Sequence, residues 1–338
     1  MRITQAKTLV ERCIERRIPL LLVGAPGVGK SALIERVAQE GGYPLIVSHP
    51  VVEEPFDLRG FPSLVAHQNR AEFRPFGFFA DLLAATTPTV WFIDDLGQGD
   101  PAVQKAYMQV VWARRIGDHR LPECLAIVAA TNRVQDRAGV TFLAPLKTRF
   151  VTCISVEPHV DDFTAWALTH QIHPDIIGFL RYRPHLLMGD ASPEITGYPC
   201  PRAWAHVSTL LSLTLGEEEE RDAVAGAIGS GAATEFAAYR TSCQSIVSWT
   251  EIHAAPETFP LPTTLSGRTA LCALLAYHCT PTTFPTIATV ITRLDREHLK
   301  EYAVLAWRDC LIKEPSIGTV PEFIQLAQGP LGRLVRGA

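Results

Sequence analysis

Apolar residues at helical spacing open the chain: Leu9, Val10, Cys13 and Ile14, with Arg16 and Arg17 closing the stretch. They predict a helix over residues 4–17, its cations placed where the carboxyl end of the helix dipole favours them. Five short apolar runs follow at intervals: 19–23, 43–48, 90–94, 125–130 and 151–156. Each is too brief for a helix and predicts a buried strand. Between them lie helical stretches, one over about 30–39 that Gly41-Gly42 stops, and one that Pro101 opens, with Val103, Met108, Val111 and Trp112 on its apolar face. Strand and helix in alternation predict a parallel five-stranded sheet layered between helices.

From about Pro158 the rhythm changes to helices separated by proline-rich loops such as Ser192–Pro201 and Ala254–Thr264. Glu217–Glu220 suits the start of a helix, and Ala232–Tyr239 and Leu271–Tyr277 read as core helices.

At 338 residues the chain has room for two to three domains, given about 150 residues for each. Apolar residues make up 47% and charged ones 20%, a globular balance. Net charge of −4 gives no global basic field to draw the chain to nucleic acid, although Arg70, Arg74, Arg114, Arg115 and Arg120 gather in two short segments. No apolar stretch approaches the roughly 18 residues of a membrane span, and the first residues contain no signal-type apolar run. A cytoplasmic protein without membrane contact is therefore expected. The 8 cysteines form no CxxC pair, so they are expected as core residues rather than zinc ligands or disulfides. His170 and His173 have no nearby carboxylate or thiolate pattern that would make them a metal site.

The chemistry concentrates at GAPGVGKS, Gly24–Ser31, which satisfies GxxxxGK[ST] between a predicted strand and a predicted helix. Glycines there let backbone N–H groups curl around phosphate oxygens, and the helix terminus adds its positive end. The residues expected to hold the nucleotide are Gly24, Pro26, Gly27, Val28, Gly29, Lys30 and Ser31, with Lys30 on the β/γ-phosphates and the Ser31 hydroxyl on Mg²⁺. The second motif is VWFIDD, where a buried strand ends in Asp94 and Asp95. Asp94 is placed to hold the Mg²⁺ of bound ATP, and Asp95 to orient or deprotonate an attacking water.

With these motifs in order, the chain resembles the AAA+ ATPases, and within them the MoxR-like branch, over about residues 19–212. Asn132 of Ala129–Asn132 looks like the sensor 1 residue, Arg149 in Phe142–Phe150 like the arginine finger at a helix end, and Arg202 in Tyr198–Trp204 like sensor 2. Phe56–Leu64 with the polar stretch to Pro75 looks like an insertion in helix 2, and Arg114–Pro122 like the hairpin before sensor 1. The resemblance implies a P-loop AAA+ three-layer α/β sandwich over 1–156 and a helical lid over 157–215, and the helical pattern of the remaining sequence leaves a C-terminal helical region over 216–338. The resemblance also implies ATP with Mg²⁺ as cofactors, a ring of identical subunits (typically six) with ATP at the subunit interfaces, and a protein client, often one with a von Willebrand factor A domain. In the family the acid at Asp95 is normally Glu. One methylene less can move the carboxylate about 1 Å from its water, a displacement that can cost about a hundredfold in rate.

Three functions fit this sequence: an ATP-driven remodelling motor acting on a protein, a nucleotide-gated assembly module with slow hydrolysis, and a nucleic-acid motor, since related helicases share both insertions. The low net charge disfavours the third. A GTPase is disfavoured because NKxD is absent, and a small-molecule kinase because it leaves Asn132, Arg149 and Arg202 without a role. The motor acting on a protein is the expectation carried forward.

Overall fold

A computed structural model describes residues 1–65, 70–136, 139–191, 195–244 and 248–336. Residues 66–69 of the polar stretch after Leu64, and 192–194 of the loop Ser192–Pro201, lie outside them. The chain divides into two compact units, Met1–Pro158 and His159–Ala338.

In the first unit, helix α1 (Ile3–Arg16) precedes β1 (Leu20–Val23), α2 (Lys30–Glu40) and β2 (Leu45–Ser48). A short α3 (Pro55–Arg59) leads into the antiparallel hairpin β3 (Phe61–Leu64) and β4 (Ala71–Arg74), and α4 (Gly77–Ala84) returns to β5 (Thr89–Ile93). Then come α5 (Pro101–Ala113), a small hairpin of β6 (Arg115–Ile116) and β7 (His119–Arg120), β8 (Leu125–Thr131), α6 (Ala144–Lys147) and β9 (Thr152–Ser155). The main sheet is parallel, with strand order β2-β5-β8-β1-β9. Strands β5 and β8 are buried along their whole length, which is why they read as continuous apolar runs rather than alternations. One face of the sheet packs Leu20, Leu22, Val90 and Val128 with α1 and α2; the other packs Leu21, Trp91, Ile93 and Ile127 with α4 and α5. This is the expected three-layer α/β sandwich around a parallel five-stranded sheet.

Two local expectations need correction. Trp112 does not join the apolar face of α5: it is 72% exposed, because nine residues at helical spacing place it on the side opposite Val103, while Val110 and Val111 of the same turn are buried. The helix at whose end Phe142–Phe150 was expected to carry Arg149 is a single turn, Ala144–Lys147, with Leu143 as its extended N-cap, and Arg149 stands two residues past it.

The second unit is helical. It contains α7 (Val160–Thr169), α8 (Pro174–Tyr182) and α9 (Pro201–Leu211), then α10 (Glu217–Ile228), α11 (Ser230–Gln244), α12 (Trp249–Ala254), α13 (Leu265–Tyr277), α14 (Phe284–Arg296), α15 (Lys300–Lys313), α16 (Pro321–Gln328) and α17 (Pro330–Arg336). All four of Glu217–Glu220 occupy the first turn of α10, where the dipole favours them. Residues on both sides of position 216, such as Phe179, Trp204, Phe236, Leu271 and Trp307, share one hydrophobic core. The buried carboxylate of Asp309 on α15 holds the Arg181 guanidinium of α8 in a two-pronged ion pair. Six cysteines are buried, while Cys124 is partly exposed and Cys153 exposed. His170 and His173 have separate structural roles: His170 stacks on Trp166, and His173 caps α8. Among the described residues no helix is long and apolar enough to cross a membrane.

Candidate nucleotide site

The carboxyl ends of three central strands converge. Residues 24–29 follow β1, Asp94 and Asp95 follow β5, and Asn132 follows β8. The Gly24 N–H donates to the Thr131 carbonyl at 3.2 Å, which fixes the start of the first loop to the end of β8. Backbone geometry then demands glycine. Gly27 and Gly29 sit at φ 74° and 105°, and a Cβ on Gly24 would lie 2.9 Å from the Val156 carbonyl oxygen. Gly29 is the N-cap of α2 and no side chain caps that helix, so its amino end opens on backbone N–H groups alone.

Lys30 is nearly fully buried. Its ammonium donates to the carbonyls of Gly24 at 2.9 Å and Ala25 at 3.1 Å, and to Asn132 Oδ1 at 2.8 Å. Asn132 turns its other face to Asp95 and Gln98, Nδ2 donating to Asp95 Oδ1 at 3.1 Å and to Gln98 Oε1 at 3.0 Å. Only this orientation of the amide serves a donor on one side and acceptors on the other. Next along α2, the Ser31 hydroxyl donates to Asp94 Oδ2 at 2.7 Å. Asp94 extends the line of β5, its N–H bound to the Ser48 carbonyl of β2 at 2.9 Å. Asp95 takes a left-handed conformation, φ 53°, so the chain turns between the two acids and their carboxylates part, one to Ser31 and the other to Asn132.

Lys30, Ser31, Asp94, Asp95 and Asn132 are thus drawn into one cluster from positions up to 102 residues apart. Gln98 belongs to it and was not singled out in the sequence. Its signal was Gly97, where a Cβ would lie 2.3 Å from Thr131 Oγ1; the missing side chain lets the turn close on β8 and carry Gln98 to Asn132. Arg149 is not brought to the cluster. It precedes β9, whose Thr152 pairs with Leu20, so it stands beyond the amino ends of the strands, and its guanidinium donates to the Pro145 carbonyl at 2.5 Å. Asp136 is held by Arg133 at 2.7 Å. Arg202 is exposed in the first turn of α9, within the second unit.

The residues fit a magnesium nucleotide. The first loop is a cradle that a Cβ would obstruct at Gly24, a buried ammonium stands at its floor, and a hydroxyl and a carboxylate already in contact offer the hard oxygen donors that Mg²⁺ prefers.

Compared with protein-family models and with curated proteins, the chain matches none. Among solved structures it is similar to the Thermotoga maritima RuvB Holliday junction branch migration motor, at 15% identity over 87% of this chain and 76% of that one, with a TM-score of 0.36. A point mutant of the same RuvB gives 15% identity, 75% and 74% coverage and a TM-score of 0.40. NtrX from Brucella abortus in complex with ADP gives 14% identity, 94% and 68% coverage and a TM-score of 0.43. At this level of similarity the architecture rests on the chain's own strand order and loop geometry, which define a P-loop α/β unit joined in sequence to a C-terminal helical region.

Proposed function

We propose that the chain is an AAA+ ATPase of the MoxR-like kind, which assembles into a ring and uses ATP to remodel or activate a protein partner. The observation that carries the nucleotide part of this reading is the convergence of Lys30, Ser31, Asp94, Asp95 and Asn132 behind a glycine cradle. MgATP supplies the phosphoryl group to be transferred to water and the cation that screens its charge. Lys30 and the loop N–H groups of residues 24–31 bind the phosphates, while Ser31 and Asp94 hold the cation. Asp95 orients a water or takes its proton, and Asn132 keeps that carboxylate aligned with the ammonium. Arg149 and Arg202 complete the site as finger and sensor, Arg149 serving the neighbouring subunit.

The hairpin β3–β4 supports a protein client. Phe61, Leu64 and Phe73 are more than half exposed although Phe61 has ring neighbours in Phe56 at 5.1 Å and Phe76 at 4.8 Å. Apolar side chains held out on a strand pair suit a protein surface, the von Willebrand factor A type being the class the resemblance points to. A nucleotide-gated module with slow hydrolysis is the second reading, favoured by the short Asp95 side chain that Asn132 already engages. Calorimetric titration with MgATP tests the first step. Lys30→Ala removes the ammonium and is expected to weaken binding by about tenfold or more, as loss of charge-assisted hydrogen bonds does. Equal affinity in wild type and variant would remove the basis of the reading. Phosphate release at saturating MgATP then separates motor from module.

A further inference from the structure

On the α5 face of the sheet, outside the nucleotide cluster, lies a second set of buried polar groups. Ser48 ends β2, and its hydroxyl oxygen accepts from Trp91 Nε1 of β5 at 2.9 Å. The Tyr107 hydroxyl of α5 lies 3.0 Å from the same oxygen and 2.5 Å from Glu53 Oε2. A phenol has one proton, and the shorter contact to a carboxylate claims it. The consistent assignment therefore runs one way: Trp91 donates to Ser48, Ser48 to Tyr107, and Tyr107 to Glu53. Every donor is used and the chain ends on an acceptor. Trp91, Tyr107 and Ser48 are buried, and burial pushes the Tyr107 hydroxyl well above its ordinary pKa, so the phenol keeps its proton. Burial also raises the Glu53 carboxyl, and the Tyr107 hydrogen bond works against that rise.

The two ends of this chain matter. Ser48 is also the residue whose carbonyl accepts the Asp94 N–H at 2.9 Å, and Asp94 in turn accepts from Ser31. Glu53 stands in the segment that leads from β2 into α3 and the β3–β4 hairpin, on the wall of a cavity of about 300 Å³ that Asp57 and Phe76 also line. The two groups meet at Ser48, whose hydroxyl belongs to the buried set and whose backbone carbonyl holds the Asp94 N–H, so the segment before the exposed hairpin is joined through the Ser48 backbone to the acid placed to hold Mg²⁺. A plain apolar core at these positions would pack the helix on the sheet equally well without linking them.

We propose that Tyr107, acting through Ser48, is a positioning residue that ties the root of the β3–β4 hairpin at Glu53 to the Asp94 carboxylate, so that engagement of the hairpin is felt at the cation side of the nucleotide site. The proposal rests on the nucleotide reading above and deepens it. The path does not touch Lys30, so its effect is confined to the part of binding that depends on Mg²⁺. Tyr107→Phe keeps the ring and its packing and deletes only the hydroxyl. In the full-length protein it is expected to leave ATP affinity in EDTA within twofold of wild type. It is also expected to cut the Mg²⁺-dependent gain in affinity about fivefold, and to lower kcat about tenfold with little change in KM. Glu53→Leu should reproduce these effects, Glu53→Gln should largely restore them because its amide oxygen still accepts, and Tyr107→Phe combined with Glu53→Leu should be no worse than either alone. An unchanged Mg²⁺ gain in Tyr107→Phe would overturn the proposal, as would equal loss of affinity with and without Mg²⁺, which marks a general packing defect. A wild type that binds ATP without turning it over leaves the affinity measurement to decide. A wild type that binds no ATP under either condition overturns the nucleotide reading and this proposal together.

Discussion

Asp95 shows how one residue can satisfy two demands at once. It turns the chain at φ 53° between Asp94 and the following turn, and it presents a carboxylate to Asn132 at 3.1 Å. Asp tolerates the left-handed region better than longer residues because its short polar side chain bonds locally. Glu at this position gains reach toward a water but meets a backbone cost of about 1 kcal/mol. Asp95→Glu is therefore expected to raise turnover while lowering stability by about that amount, read by phosphate release and by urea unfolding. Asp95→Asn keeps the turn and removes the charge. It should leave ATP bound and reduce turnover by about a hundredfold or more, the range of a lost general base. A turnover rate indifferent to Asp95→Asn would assign the water to another group.

Helix caps carry a second expectation. His173 is the N-cap of α8, its Nδ1 accepting from the Asp175 N–H at 3.3 Å while its own N–H donates to Ser208 Oγ at 2.9 Å. Burial lowers its pKa below the usual 6.5; Asp175 and Glu220 pull it up and Arg240 pushes it further down. A base held neutral in the fold binds fewer protons there than when unfolded. Its stabilising contribution is thus complete above about pH 6.5 and is lost as pH falls from there toward the folded-state pKa. His173→Asn retains a capping acceptor without the titration. The urea midpoint of this variant should vary less between pH 7 and pH 5 than that of wild type; parallel profiles would show that the cap does not titrate. Caps and strands differ in how far the sequence reveals them. The five sheet strands were legible because each is an apolar run bounded by turn residues, α2 because its apolar face is stopped by glycines, and the cradle because its glycines are fixed by backbone geometry. The outward position of Trp112 does not follow from its apolar character, because at helical spacing it stands opposite Val103, on the side of α5 turned away from the sheet. The partnership of Ser48, Glu53 and Tyr107 was not legible at all, since it joins a strand end, a connecting segment and a helix across 59 residues and no local pattern records it.

At the scale of the whole molecule, the position of Arg149 bears on the proposed sharing of a site between subunits. It lies beyond the amino ends of the strands, whereas the cradle follows their carboxyl ends. In the proposed ring, a planar guanidinium there would meet the phosphate of a neighbour rather than its own. Supplying such a group in trans is worth roughly 10³–10⁵ in rate in GTPases. Turnover per subunit should rise with protein concentration, and Arg149→Ala should lower it by about 10³-fold. Mixing Arg149→Ala with Lys30→Ala subunits should restore part of the activity, because one kind of interface then joins an intact cradle to an intact finger. Mixtures that native mass spectrometry shows to be assembled yet remain as inactive as either variant would count against a shared site, as would turnover by a monomer.

The strand order has a consequence for how the molecule opens. The cradle, the two acids and Asn132 hang from β1, β5 and β8, each paired on both sides, while β2 and β9 form the edges. Amide hydrogens of interior strands exchange with deuterium only when the whole unit opens, whereas edge amides exchange through smaller, more frequent excursions. The amides of β8, whose seven residues are all buried, should therefore be among the slowest to exchange, with β2 and β9 markedly faster. Fraying that begins at either edge would leave the cradle, the two acids and Asn132 in register, so that partial opening and dispersal of this cluster are separate events along the same unfolding path.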